Sequence, residues 1–156
     1  MANSTTAFGL RPVRYRNGTP WTGQARHYHV PATDTTAMFI GDPIDVIGTS
    51  NTTEVVCLGG KFAPGTLQSV DHATLADTNF VSGVIVGVEA VTRESTTYRE
   101  ASTERVLMVA DDPELVFEVK HSEMKRPKSN RGSPLWEGPD DLLNALGFAL
   151  VWRRDN

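Results

Sequence analysis

The run Phe80-Val81-Ser82-Gly83-Val84-Ile85-Val86-Gly87-Val88-Glu89-Ala90-Val91 restricts the fold of this chain more than any other stretch. Val84, Ile85, Val86, Val88 and Val91 are β-branched, which suits a pleated surface and costs side-chain freedom in a helix. With a period of two, Phe80, Val84, Val86, Val88 and Ala90 share one face, while Val81, Ile85 and Val91 share the other with Gly83 and Gly87. A strand that is apolar on both sides belongs inside a barrel or sandwich, and its two glycines mark a bend or the close approach of another backbone. The spacing Gly83-x-x-x-Gly87 also fits a membrane-helix pair, but the run falls well short of the roughly 20 apolar residues that a span needs.

The remainder supports a β protein. The chain has 156 residues, the size of one domain, and spreads 13 glycines and 9 prolines among many Thr and Val residues, as short strands joined by turns require. Its one cysteine, Cys57, excludes an internal disulfide framework and sits in the apolar strand candidate 52–58 as a small hydrophobe. Neither a basic nor an apolar leader follows Met1, so synthesis in a cytoplasm is expected.

Charge is distributed unevenly. Residues 1–33 carry four arginines (Arg11, Arg14, Arg16, Arg26) and no acid; residues 34–119 carry 14 acids against four bases; residues 120–156 carry seven bases and five acids. Such a body repels nucleic acid as a whole, while its basic N-terminal segment seeks an acidic protein surface or phosphates.

Along the chain, residues 1–24 read as an extended N-terminal arm preceding a β domain at 25–156. Its apolar residues require a surface, either the parent domain or a neighbour. Asn17-Gly18 signals a hairpin turn within it. A short strand ends at Pro31 and places His27 and His29 on one face. With no third ligand at matched spacing, these histidines read as a polar strand face and no metal is expected. Ala37-Met38-Phe39-Ile40 and Ile44–Gly48 read as two strands around a Gly41-Asp42-Pro43 turn, with Asp34, Asp42 and Asp45 as turn formers. Residues 61–79 are polar and turn-rich, and 92–102 form a solvated loop or edge strand. Residues 105–110 and 115–119 flank an acidic corner, Asp111-Asp112-Pro113-Glu114. Residues 120–133 form a basic loop, Asp140–Ala145 suits one short helix, and Phe148–Trp152 reads as a closing strand. Asp71-His72 has no serine in a nucleophile elbow to serve, so no catalytic residues, cofactor or enzyme activity are expected.

Taken in order, Ala7-Phe8-Gly9-Leu10-Arg11-Pro12-Val13, Tyr28-His29-Val30-Pro31-Ala32-Thr33-Asp34, Ile40-Gly41-Asp42-Pro43, Gly83-Val84-Ile85-Val86-Gly87 and Val109-Ala110-Asp111-Asp112-Pro113 resemble a family of tailed-phage capsid decoration, or cement, proteins. The likeness runs from about residue 7 to residue 119. The resemblance implies a structural virion protein on the outer capsid surface that bridges major capsid subunits and stabilises the shell. The expected fold is a single antiparallel β barrel or sandwich, jelly-roll-like or β-tulip-like. In this reading Phe8, Leu10, Tyr15 and Trp21 lie in apolar grooves of the major capsid protein, and Arg11, Arg14 and Arg16 pair with its carboxylates. Lys125, Arg126, Lys128 and Arg131 form a secondary contact loop. The sequence leaves open whether the chain also binds itself as a homo-oligomer. The alternative is an internal or minor virion protein that touches DNA through the same basic segments, which the acidic middle disfavours.

Overall fold

The computed structural model describes residues 9–73, 81–119 and 149–151. Alternating side chains and turn-forming Gly, Pro and Asn residues divide them into ten strands. These are β1 (Leu10–Tyr15), β2 (Arg26–Val30), β3 (Pro43–Ser50), β4 (Val55–Cys57), β5 (Gly60–Phe62), β6 (Gln68–His72), β7 (Gly83–Val88), β8 (Arg105–Ala110), β9 (Leu115–Val119) and β10 (Ala149–Val151). No helix occurs among the described residues, and the helix expected at Asp140–Ala145 lies outside them.

Five strands close into a barrel in the order β2-β6-β3-β7-β8. Four of its pairings are antiparallel and one, β2 with β6, is parallel, so the barrel is mixed where an all-antiparallel one was expected. Closure leaves none of these strands with an unpaired edge. Tyr28, Val30, Ile44, Val70, Ile85, Leu107 and Val109 fill the lumen together with Met38 from the loop before β3. In so small a barrel side chains occupy the interior, and each fully buried Val, Leu or Ile contributes about 1.5–3 kcal/mol.

Two smaller sheets cover the outside. On one flank β1, β9 and β10 form a three-stranded sheet whose Leu115 and Phe117 pack with Val81, Val84 and Ala110 of the barrel side. On another, the β4–β5 hairpin lays Val55 and Cys57 on Val106 and Leu67. Strand β8 is therefore covered on both faces: Leu107 and Val109 point inward, while Val106 and Ala110 meet the two outer sheets.

Strand β7 has the expected position but a different phase. A bulge between Ile85 and Gly87 makes Val86 the extra residue, and pairing resumes at Gly87 opposite Met108 and Val88 opposite Leu107. Val88 thereby joins Ile85 on the lumen side, while Val84 and Val86 pack outside. Strict alternation had placed Val88 with Val84 and Val86.

Two further expectations change. The polar stretch 61–79 contains the end of β5 and all of β6, a full barrel strand between β2 and β3. Ala37–Ile40 is no strand: Met38 makes an isolated bridge to Arg99, and Phe39 and Ile40 lie in the turn before β3.

Residues 10–21 do not extend away from the domain. Of the two surfaces open to them, they take the parent domain: β1 pairs antiparallel with β9 from Leu10↔Val119 to Tyr15↔Leu115. The chain then reverses through Asn17-Gly18. Gly18 N donates to Tyr15 O and Tyr15 N to Thr19 O, with Gly18 at φ 90°, so the connection is a three-residue loop closed by a left-handed glycine.

Candidate binding surface

The hairpin built on β1 sorts its side chains by chemistry. Leu10, Tyr15 and Trp21 turn inward and pack against the Phe117 cluster, and Trp21 Nε1 donates to Gln24 O at 3.1 Å. These three are thus half-buried against the parent domain, one of the two surfaces open to the arm. The arginines stay outside. Arg11 pairs with Glu118, Arg16 with Glu114 at 3.8 Å and Arg26 with Asp111 at 3.3 Å. Arg14 is exposed and makes no ion pair among the described residues. Exposed pairs of this kind contribute little to stability. Phe8, Lys125, Arg126, Lys128 and Arg131 lie outside the described residues.

A second surface holds none of the contact residues expected from the sequence. The rings of Phe39 and Tyr98 stack with centroids 5.0 Å apart and planes 20° apart. Phe39 is 50% exposed and its neighbour Ile40 54%. What holds this apolar platform is Arg99, which is 0% exposed. Its guanidinium donates to four main-chain carbonyls: Thr103 at 2.9 Å, Pro31 at 2.9 Å, Asp34 at 2.7 Å and Thr36. The Asp34 carboxylate lies 3.4 Å from Nη1. Main-chain bonds between Met38 and Arg99 run in both directions, so loop 31–42 and loop 92–104 are joined as one body. Burial lowers the Arg99 pKa from its ordinary value, opposed by the charges of Asp34 and Asp71. Behind the platform, Gly41 accepts from Leu10 N at 2.9 Å and donates to Ile85 O at 2.8 Å, tying the turn to both β1 and the barrel.

The remaining candidates serve the fold. His27 meets Glu89 at 3.1 Å and sets its ring against Phe62 at a tilt of 44°; His29 is buried between Ser69 at 3.0 Å and Glu104 at 2.9 Å. No group of three His, Cys, Asp or Glu side chains suited to a metal occurs among the described residues. Asp34 and Asp42 do form turns, accepting from Thr36 N and Phe39 N, whereas Asp45 lies within β3 and accepts from the Ser82 hydroxyl at 3.0 Å. His72 faces Asp42 at 4.0 Å, and Asp71 accepts from the His72 main-chain N–H. Burial, followed by the charge of Glu89, pushes the Cys57 thiol pKa up, which disfavours the reactive thiolate. At the acidic corner Asp111 accepts from Tyr28 at 2.8 Å, and the corner lines a cleft of about 230 Å³ with Tyr15, Gln24 and Arg26.

The sequence signals for the platform were present but weak in isolation. Phe39-Ile40 directly before Gly-Asp-Pro puts two large apolar residues into a turn, and Arg99 is one of two arginines in the polar stretch 92–102. Comparison with known proteins finds no matching family model, no matching curated protein and no matching solved structure.

Proposed function

We propose that this chain is a structural virion protein that binds the outer surface of a phage capsid and stabilises the shell by bridging major capsid subunits. The observation that best supports this reading is the division of labour within the β1 hairpin. Its apolar side packs on the parent domain, while Arg11, Arg14 and Arg16 are displayed outward on the sheet that flanks the closed barrel. A rigid body with displayed cations suits adhesion to an acidic protein surface, and it loses little conformational entropy on docking. The ordered motifs of the capsid-decoration resemblance also fall on the residues that set this shape: Gly41 holds β1, the carbonyls of Pro31 and Asp34 receive Arg99, and Gly83 and Gly87 lie in β7. Each contact can be modest, because a shell presents many equivalent sites and reinforcement comes from their number.

The test is to mix the purified chain with bare shells of the phage that encodes it. Co-sedimentation with the shells and a raised temperature of shell disassembly are the expected results. Arg14→Glu should reduce occupancy, and the reduction should grow as salt is lowered. Wild-type protein that stays in the supernatant at low salt and leaves shell disassembly unchanged would overturn the reading.

A further inference from the structure

We propose that the aromatic platform is a docking site for a second copy of this chain, and that it receives the Val13–Arg14 rim of the other copy's β1 hairpin. This inference does not depend on the shell reading.

The argument begins with charge. The two loops that build the platform, 31–42 and 92–104, contribute Asp34, Asp42, Glu94, Glu100 and Glu104 against one exposed cation, Arg93, because Arg99 is entirely buried. The platform is therefore an apolar centre with an acidic rim. The hairpin segment 10–26 is its complement, because it carries four arginines and no carboxylate. Val13 supplies an apolar centre there, 42% exposed at the bulge between Pro12 and Arg14. Arg14 beside it has no ion-pair partner among the described residues.

Both patches are fixed before any docking. Arg99 clamps the platform loops, and β9 pairs along the hairpin strand, so association requires little ordering. One patch meets a different patch, so the contact is head-to-tail within each pair, and two such contacts form at once if the copies are related by a two-fold axis. A few side chains on each side fall far below the roughly 800 Å² per partner of a standard stable interface. Association is accordingly weak in dilute solution and gains strength where copies are held close together.

The test uses the full chain in sedimentation velocity over loading concentrations that reach the millimolar range, at low and high salt. Wild type should show a sedimentation coefficient that rises with concentration, and high salt should diminish the rise. Phe39→Ser with Ile40→Ser, and separately Val13→Ser with Arg14→Glu, should each weaken self-association by about tenfold or more, equivalent to about 1.4 kcal/mol. Glu100→Lys is a second platform variant at an exposed position and should act in the same direction. A mixture of the platform variant and the hairpin variant should associate where neither does alone, because one intact contact survives between them. Monomeric wild type at every concentration, a variant that associates as wild type does, or a mixture as monomeric as its components would each overturn the proposal.

Discussion

Arg99 Nη2 donates to the main-chain carbonyl of Asp34 at 2.7 Å, across 65 positions of sequence. With its bonds to Thr103, Pro31 and Thr36, this contact makes one buried cation the fastener of two long loops that form no named strand. A charge removed from water in this way is costly unless every donor is matched, and here carbonyl dipoles and the Asp34 carboxylate match it.

Replacing Arg99 should expose that dependence. Arg99→Ala leaves four inward carbonyls without their donor and is expected to cost about 3–5 kcal/mol. Arg99→Lys keeps the charge but not the planar fork, and is expected to lose about 2 kcal/mol. Urea unfolding checks both, and hydrogen exchange at Met38 N–H and Arg99 N–H should accelerate before the barrel strands do.

The β1–barrel junction gives a second prediction. A Cβ on Gly41 would lie 2.9 Å from Gly9 Cα, and Gly41 has φ +98°; a Cβ on Gly18 would meet nothing within 4 Å, although its φ is +90°. Gly18→Ala is therefore expected to cost only the left-handed penalty of about 1–2 kcal/mol. Gly41→Ala should cost clearly more, because backbone must move as well. Thermal melts of the two variants compare them directly, and equal losses would refute the close contact.

Asn51 organises the loops around the β4–β5 hairpin and gives a third. It is buried, its Nδ2 donates to Thr53 O and Ala63 O at 2.9 Å each, and its Oδ1 accepts from Leu67 N at 2.9 Å. Asn51→Ala strands three partners and should cost about 2–3 kcal/mol. Asn51→Asp should be at least as harmful, because a carboxylate would face two carbonyl oxygens in a buried site. Urea denaturation distinguishes these outcomes from a surface-like change of about 0.5 kcal/mol or less.

These positions also show what the sequence made legible. The apolar run around Ile85 identified β7 and narrowed the fold to a barrel or sandwich, because β-branched residues on two faces leave few other folds. It did not reveal the phase of β7, since the bulge at Val86 depends on how Met108 and Leu107 pair opposite it. Strand β6 was hidden because Ser69 is buried as a partner for His29, and a polar residue with a tertiary partner looks like loop in sequence. The arginines of the hairpin were legible as a basic segment. That Leu10, Tyr15 and Trp21 pack against the core of their own domain was not, because an amphipathic strand reads the same whether its surface is its own domain or another's. The platform escaped for a related reason: three of the four carbonyls that Arg99 donates to lie more than 60 positions away.

Tyr28 gives the last prediction, in pH. Its phenol donates to Asp111 at 2.8 Å. Burial first, then the hydrogen bond to Asp111 and that carboxylate's charge, raise its pKa above 10.0, with Arg26 opposing. The folded protein therefore holds a proton that the unfolded chain releases near pH 10. This part of the stability is complete below that pH and is lost as pH rises through the folded value, at up to about 1.4 kcal/mol per pH unit. Tyr28→Phe lacks the hydroxyl. It should be less stable than wild type by about 1 kcal/mol at neutral pH, and its melting temperature should fall less steeply above pH 10, so that the two curves converge. Parallel curves between neutral pH and pH 11 would show that the Tyr28–Asp111 bond does not couple folding to the phenol proton.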